Sequence, residues 1–133
     1  MVASPERCFE MPIVCISLVP PGLGEDAYSS LIGAVHEAVL GIPELGLTEP
    51  HEVTVLLPPD LSSMDLGECE IVAQVTGLLN KPERTKEVKE AMCAAIADAI
   101  LAFTRLYVPD CPRVEVINLP FRQDNDGSCV RAA

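Results

Sequence analysis

The apolar and polar positions of this chain fall into one order of elements, written twice. Residues 12–19, P-I-V-C-I-S-L-V, form a short apolar run rich in β-branched side chains. Such a run predicts a buried strand. P-P-G-L-G at 20–24 breaks it. Glu25 and Asp26 then open a helix, because acidic side chains suit the positive end of the helix dipole. Tyr28, Leu31, Ile32, Val35 and Val39 recur at helical spacing and predict one apolar face. Gly41 and Pro43 stop that helix. A loop, G-I-P-E-L-G-L-T-E-P-H, leads to a second strand, E-V-T-V-L-L at 52–57, which Pro58 and Pro59 end.

After a loop over 58–68 the order recurs. C-E-I-V-A-Q-V-T-G-L-L at 69–79 predicts a strand. Thr85 is a plausible N-cap with Glu87 in the first turn. Val88, Met92, Ala95, Ile96, Ala99, Ile100 and Phe103 predict the apolar face of a long helix. R-V-E-V-I-N-L at 113–119 closes as a strand with Val114 and Val116 on one face, and Gly127 marks a turn in a polar tail. The closing strands look alike, V-T-V-L-L-P against V-E-V-I-N-L-P, at a period of about sixty residues.

Each half therefore reads β-α-β. A connection that carries a helix joins parallel strands through a right-handed crossover. The expected fold class is α/β (α+β): a duplicated β-α-β unit, with a four-stranded mixed sheet and two helices on one face. The other face has no helix to cover it, and an open apolar face predicts oligomerisation.

Composition narrows the partners. A chain of 133 residues suits one domain with one core. No run of eighteen apolar residues is free of charge, so no membrane span is expected. The first ten residues lack the apolar core of a signal peptide, which makes the cytoplasm the expected location. The net charge of -11 argues against a nucleic-acid partner, since phosphates need a positive surface. Before Lys81 the only base is Arg7, so an anionic substrate would need the second half. The six cysteines include no C-x-x-C pair, and His36 and His51 lie near none of them, so no metal site is expected. Cys15 and Cys93 read as small core residues, and both histidines as surface or edge residues. No G-x-G-x-x-G or P-loop occurs, so no bound nucleotide is expected.

A duplicated β-α-β unit that starts at Met-Pro before an apolar strand resembles the tautomerase superfamily. E-R-T-K-E-V-K-E-A-M at 83–92 is similar to that family's G-R-S-x-E-x-K segment, which opens a helix. P-R-V-E-V-I-N-L-P at 112–120 is similar to the closing strand of the same unit. P-I-V-C-I-S-L-V and P-H-E-V-T-V-L-L-P-P-D-L match the first half. The resemblance covers 12–127, with 12–60 as the first unit and 69–121 as the second. It leaves 1–11 as a leader or misassigned start and 128–133 as a tail. The doubled length resembles 5-carboxymethyl-2-hydroxymuconate isomerase, malonate semialdehyde decarboxylase, macrophage migration inhibitory factor and fused 4-oxalocrotonate tautomerase. Those families assemble as trimers around their bare sheet faces, so a homotrimer is implied.

The resemblance also implies a chemistry. In the family the catalytic group is the secondary amine of an N-terminal proline. A chain-terminal amine titrates near about 8, and burial beside cations lowers it. A neutral amine can then move a proton between carbon and oxygen in a keto-enol shift. Pro12 is the candidate base on a small 2-oxo or enol acid, provided that the working chain begins there. Translation from Met11 or removal of the leader would meet that condition, and a chain that keeps Met11 would not. The family's G-R-S match makes Arg84 the candidate carboxylate clamp, a task suited to a planar guanidinium. Asn118 and Phe121 match pocket-wall positions, and Arg113 and Arg122 could add charge. The family's other arginines fall here on Gly22, Thr54 and Glu115. A monoacid or weakly charged substrate is therefore implied rather than a dicarboxylate. Two alternatives stay open. One is decarboxylation or hydration, with Glu52 or Glu115 activating water. The other is a catalytically silent trimer that binds or assembles.

Overall fold

A computed structural model describes residues 12–58, 70–111 and 113–119. The elements are strand β1 (Ile13–Ser17), helix α1 (Glu25–Leu40), strand β2 (Thr54–Leu56), strand β3 (Glu70–Thr76), helix α2 (Lys86–Tyr107) and strand β4 (Arg113–Asn118). The sheet order is β2-β1-β3-β4. β1 pairs with β2 in parallel and β3 with β4 in parallel, as the two helical connections require. β1 and β3 run antiparallel down the middle and join the two halves.

Alternation decides the faces, since successive strand side chains point to opposite sides. Val14, Ile16, Ile71, Ala73 and Val75 are buried beneath the helices. From α1 the residues Ala27, Leu31, Val35 and Val39 meet them. From α2 come Met92, Ile96, Ile100 and Phe103. Both helices thus cover one face. The other face carries Ile13, Cys15, Thr54, Leu56, Val72, Gln74, Glu115 and Ile117, and no described helix lies over it.

Several local expectations change. The connection after α1 is not plain loop: Pro43–Leu45 and Pro50–Glu52 are turns of 3-10 helix. Each starts on a proline, whose fixed φ suits the first helical position. The second turn takes Glu52 out of the predicted strand and leaves β2 only three residues. β3 ends at Thr76, before Gly77 at φ 78. Cys93 is half-buried and packs against the core, whereas Cys15 is half-buried on the open face rather than in the core. Burial and the neighbouring Glu90 carboxylate push the Cys93 thiol up from its ordinary range. Tyr28 faces the turn between β1 and α1. Its hydroxyl accepts from Leu23 N and donates to Pro20 O at 2.7 Å. Among the described residues no helix is long and apolar enough to cross a membrane, and none of their His, Cys, Asp and Glu side chains cluster as metal ligands.

Candidate active site at one end of the sheet

The strand directions gather the candidate residues at one end of the sheet. There β1 and β2 begin and β3 and β4 finish. Pro12 stands just before β1, a place where its missing N–H costs the ladder no donor. Its side chain is less than 2% exposed and lies on the helix-covered face, two residues from Val14. Its carbonyl accepts a hydrogen bond from Thr54 N at 3.0 Å.

Asn118 closes β4 at the same end. It pairs with Val75, which pairs in turn with Val14, so all three share the helix-covered face. Its Oδ1 is buried and has no hydrogen-bond partner among the described residues. A buried acceptor without a donor costs about 1–3 kcal/mol, which makes it a candidate for a ligand hydroxyl.

Arg84 sits three residues before Glu87, in the segment between β3 and α2, and is 3% exposed. Its Nε and Nη2 donate to Leu45 O at 3.2 and 2.6 Å. Nη1 donates to Leu79 O at 2.8 Å. Leu45 ends the first 3-10 turn, and Gly46 at φ 72 turns the chain immediately after it. The guanidinium therefore ties the connection of the first half to that of the second. Among the described residues, the arginine that the G-R-S match makes a candidate clamp donates to backbone carbonyls.

Arg113 lies at the other end of the sheet, where β3 and β4 begin. Its side chain is 67% exposed and pairs with Glu70 at 3.4 Å and Glu115 at 3.6 Å. One chain does not bring Arg113 to Pro12. Glu52 is occupied too: its Oε1 accepts from Thr48 Oγ1 and from Glu49 N. Phe121 and Arg122 lie outside the described residues.

Solved structures share this fold. Pt0534 inactivated by 2-oxo-3-pentynoate superposes at a TM-score of 0.60 and 22% identity, over 88% of this chain and 91% of that one. The chain has the tautomerase-superfamily fold. A wild-type fused 4-OT, solved as a symmetric trimer, matches the tautomerase-fold chain at 0.61 and 18% identity, over 88% and 91%. Malonate semialdehyde decarboxylase matches at 0.55 and 18% identity, over 91% and 92%. No family model and no curated protein sequence matches the chain.

One residue of the tautomerase-fold chain escaped the sequence reading. His36, expected at a surface or edge, is half-buried on α1 and lies between two carbonyls. Nε2 lies 2.8 Å from Val53 O, and Nδ1 lies 3.2 Å from Ile32 O. Its position four residues after Ile32, beside the apolar stripe, gave the only sequence signal. The partner, Val53, is seventeen residues away.

Proposed function

We propose that this chain is a cofactor-free tautomerase or isomerase, moving a proton on a small 2-oxo or enol acid, with Pro12 as general base. The observation that carries this reading is the shared face: Pro12 and the partnerless Oδ1 of Asn118 are both buried at one end of the sheet. A Pro12 amine in that setting would be poorly solvated, and burial favours its neutral, proton-accepting form. An acceptor without a donor suits a hydroxyl, and the enol form of a 2-oxo acid supplies one where the keto form does not.

In this reading Arg84 acts by holding the two connections around the site. Clamping a carboxylate would require it to exchange a backbone carbonyl for substrate. Arg113 enters only from another copy of the chain, in the homotrimer proposed to form through the open sheet face. Phe121 keeps the pocket-wall part that the resemblance gives it, and a cytoplasmic location belongs to the same proposal.

The test uses a chain that begins at Pro12, beside the 133-residue chain and Pro12→Ala. Ketonisation of phenylenolpyruvate is expected in the first only, with Pro12→Ala lower by about 100-fold or more. The probe 2-oxo-3-pentynoate, which inactivates Pt0534, is expected to add its mass at Pro12. Asn118→Leu is expected to raise KM without loss of stability, because it removes an acceptor that folding leaves unpaired. An inert Pro12-starting chain, unchanged by Pro12→Ala, would remove the enzyme reading.

A second reading, a silent tautomerase-fold trimer that binds or assembles, is favoured by one observation. The Arg84 guanidinium donates to backbone carbonyls. A decarboxylase or hydratase reading has the malonate semialdehyde decarboxylase likeness behind it. Glu115, paired with Arg113, and Glu52, bonded within its own turn, are its candidate water activators.

A further inference from the structure

His36 and Pro12 touch opposite sides of a single peptide group. The carbonyl of Val53 faces His36 Nε2 at 2.8 Å. The N–H of the same peptide belongs to Thr54 and donates to Pro12 O at 3.0 Å. In a trans peptide these two groups point in opposite directions. Carbonyl oxygens only accept, so a neutral His36 donates to one of its two carbonyls, and the shorter contact assigns that proton to Nε2. The line from helix to proline is then complete: His36 donates to the peptide, and the peptide donates to Pro12.

We propose that His36 is a positioning residue for Pro12, acting through the Val53–Thr54 peptide. Three features of its place support this. Val53 directly precedes β2, the edge strand of the sheet, and is 3% exposed. Its outward carbonyl meets no further strand among the described residues, and His36 satisfies it from α1. Donation to a peptide oxygen polarises that peptide and strengthens the bond its N–H makes. The Pro12 carbonyl is thereby held, and with it the tilt of the pyrrolidine ring. This matters most for a chain beginning at Pro12, because a first residue frays unless it is tied down. The consequence for catalysis rests on Pro12 being the base; the coupling itself does not.

Nuclear magnetic resonance and kinetics on the Pro12-starting chain test it together. His36→Leu removes the donor, and His36→Gln restores one of similar reach. In His36→Leu the Thr54 amide proton is expected to shift upfield and to exchange about tenfold faster. The Pro12 carbonyl carbon is expected to shift with it. The kcat is expected to fall about tenfold with KM nearly unchanged, as misorientation of a reacting group predicts. His36→Gln is expected to recover both. Should His36→Leu not fold, His36→Asn, too short to reach Val53, takes its place. Unmoved Thr54 and Pro12 signals would overturn the proposal, and so would equal kcat losses in His36→Leu and His36→Gln. The resonance readout needs no turnover. If the Pro12-starting chain is inert, shifted signals still support the coupling and unmoved ones still refute it.

Discussion

A guanidinium that is 3% exposed has to find its partners inside the protein, and Arg84 finds them on Leu45 and Leu79. Each carbonyl left without a donor after removal of the side chain costs about 1–3 kcal/mol. Arg84→Ala is therefore expected to lower the unfolding free energy by about 2–5 kcal/mol, read from the midpoint of urea denaturation. Arg84→Lys is expected to recover little, because a single ammonium does not span two carbonyls as a planar fork does. The family resemblance marked Arg84 as a candidate clamp, and its tie to Leu45 and Leu79 was not legible. Leu45, its main partner, lies 39 residues away, beyond any local pattern. Pro12 and Asn118 were both legible as strand-end residues. That they share one face and one end required the register of all four strands.

At the scale of the element, the long helices were legible because each declares its own start and its own stripe. Thr85 caps α2, its side chain accepting from Val88 N at 3.2 Å. Thr85→Ala is expected to cost about 1 kcal/mol in thermal or urea unfolding, and Thr85→Ser to cost less, since the hydroxyl is kept. The stripe of α2 reads out as expected: Met92, Ile96, Ile100 and Phe103 are all buried. The short elements were less legible. A 3-10 turn of three residues has no period to detect, and Pro43 and Pro50 read equally as breakers. β2 was overextended for the same reason. Its three residues, T-V-L, continue an apolar pattern that starts before the strand does.

For the whole molecule, the sheet sets one covered face against one open face. Leu56 is 46% exposed on the open side, beside Cys15 and in one row across the sheet with Gln74 and Ile117. Sedimentation equilibrium is expected to give three times the 14.3 kDa of one chain. The double substitution Leu56→Glu with Ile117→Glu is expected to reduce that to one, by placing charge where apolar surface would be buried. A single-chain mass for the unaltered protein would overturn the trimer. A structure solved as a symmetric trimer is among those that share this fold.

The sequence by itself determined what is periodic and local: two β-α-β units, two amphipathic helices, their caps and the parallel sense of each half. Such features follow from spacing within a few turns of chain, and apolar period and crossover geometry suffice to read them. Only the tertiary structure decided how the halves join, β1 against β3, and what that junction brings together. It set Arg84 on the carbonyl of Leu45 and His36 on the peptide that holds Pro12. Those contacts join residues 17 to 42 positions apart, so no local pattern could encode them; buried donors and acceptors chose one another only once packing had excluded water.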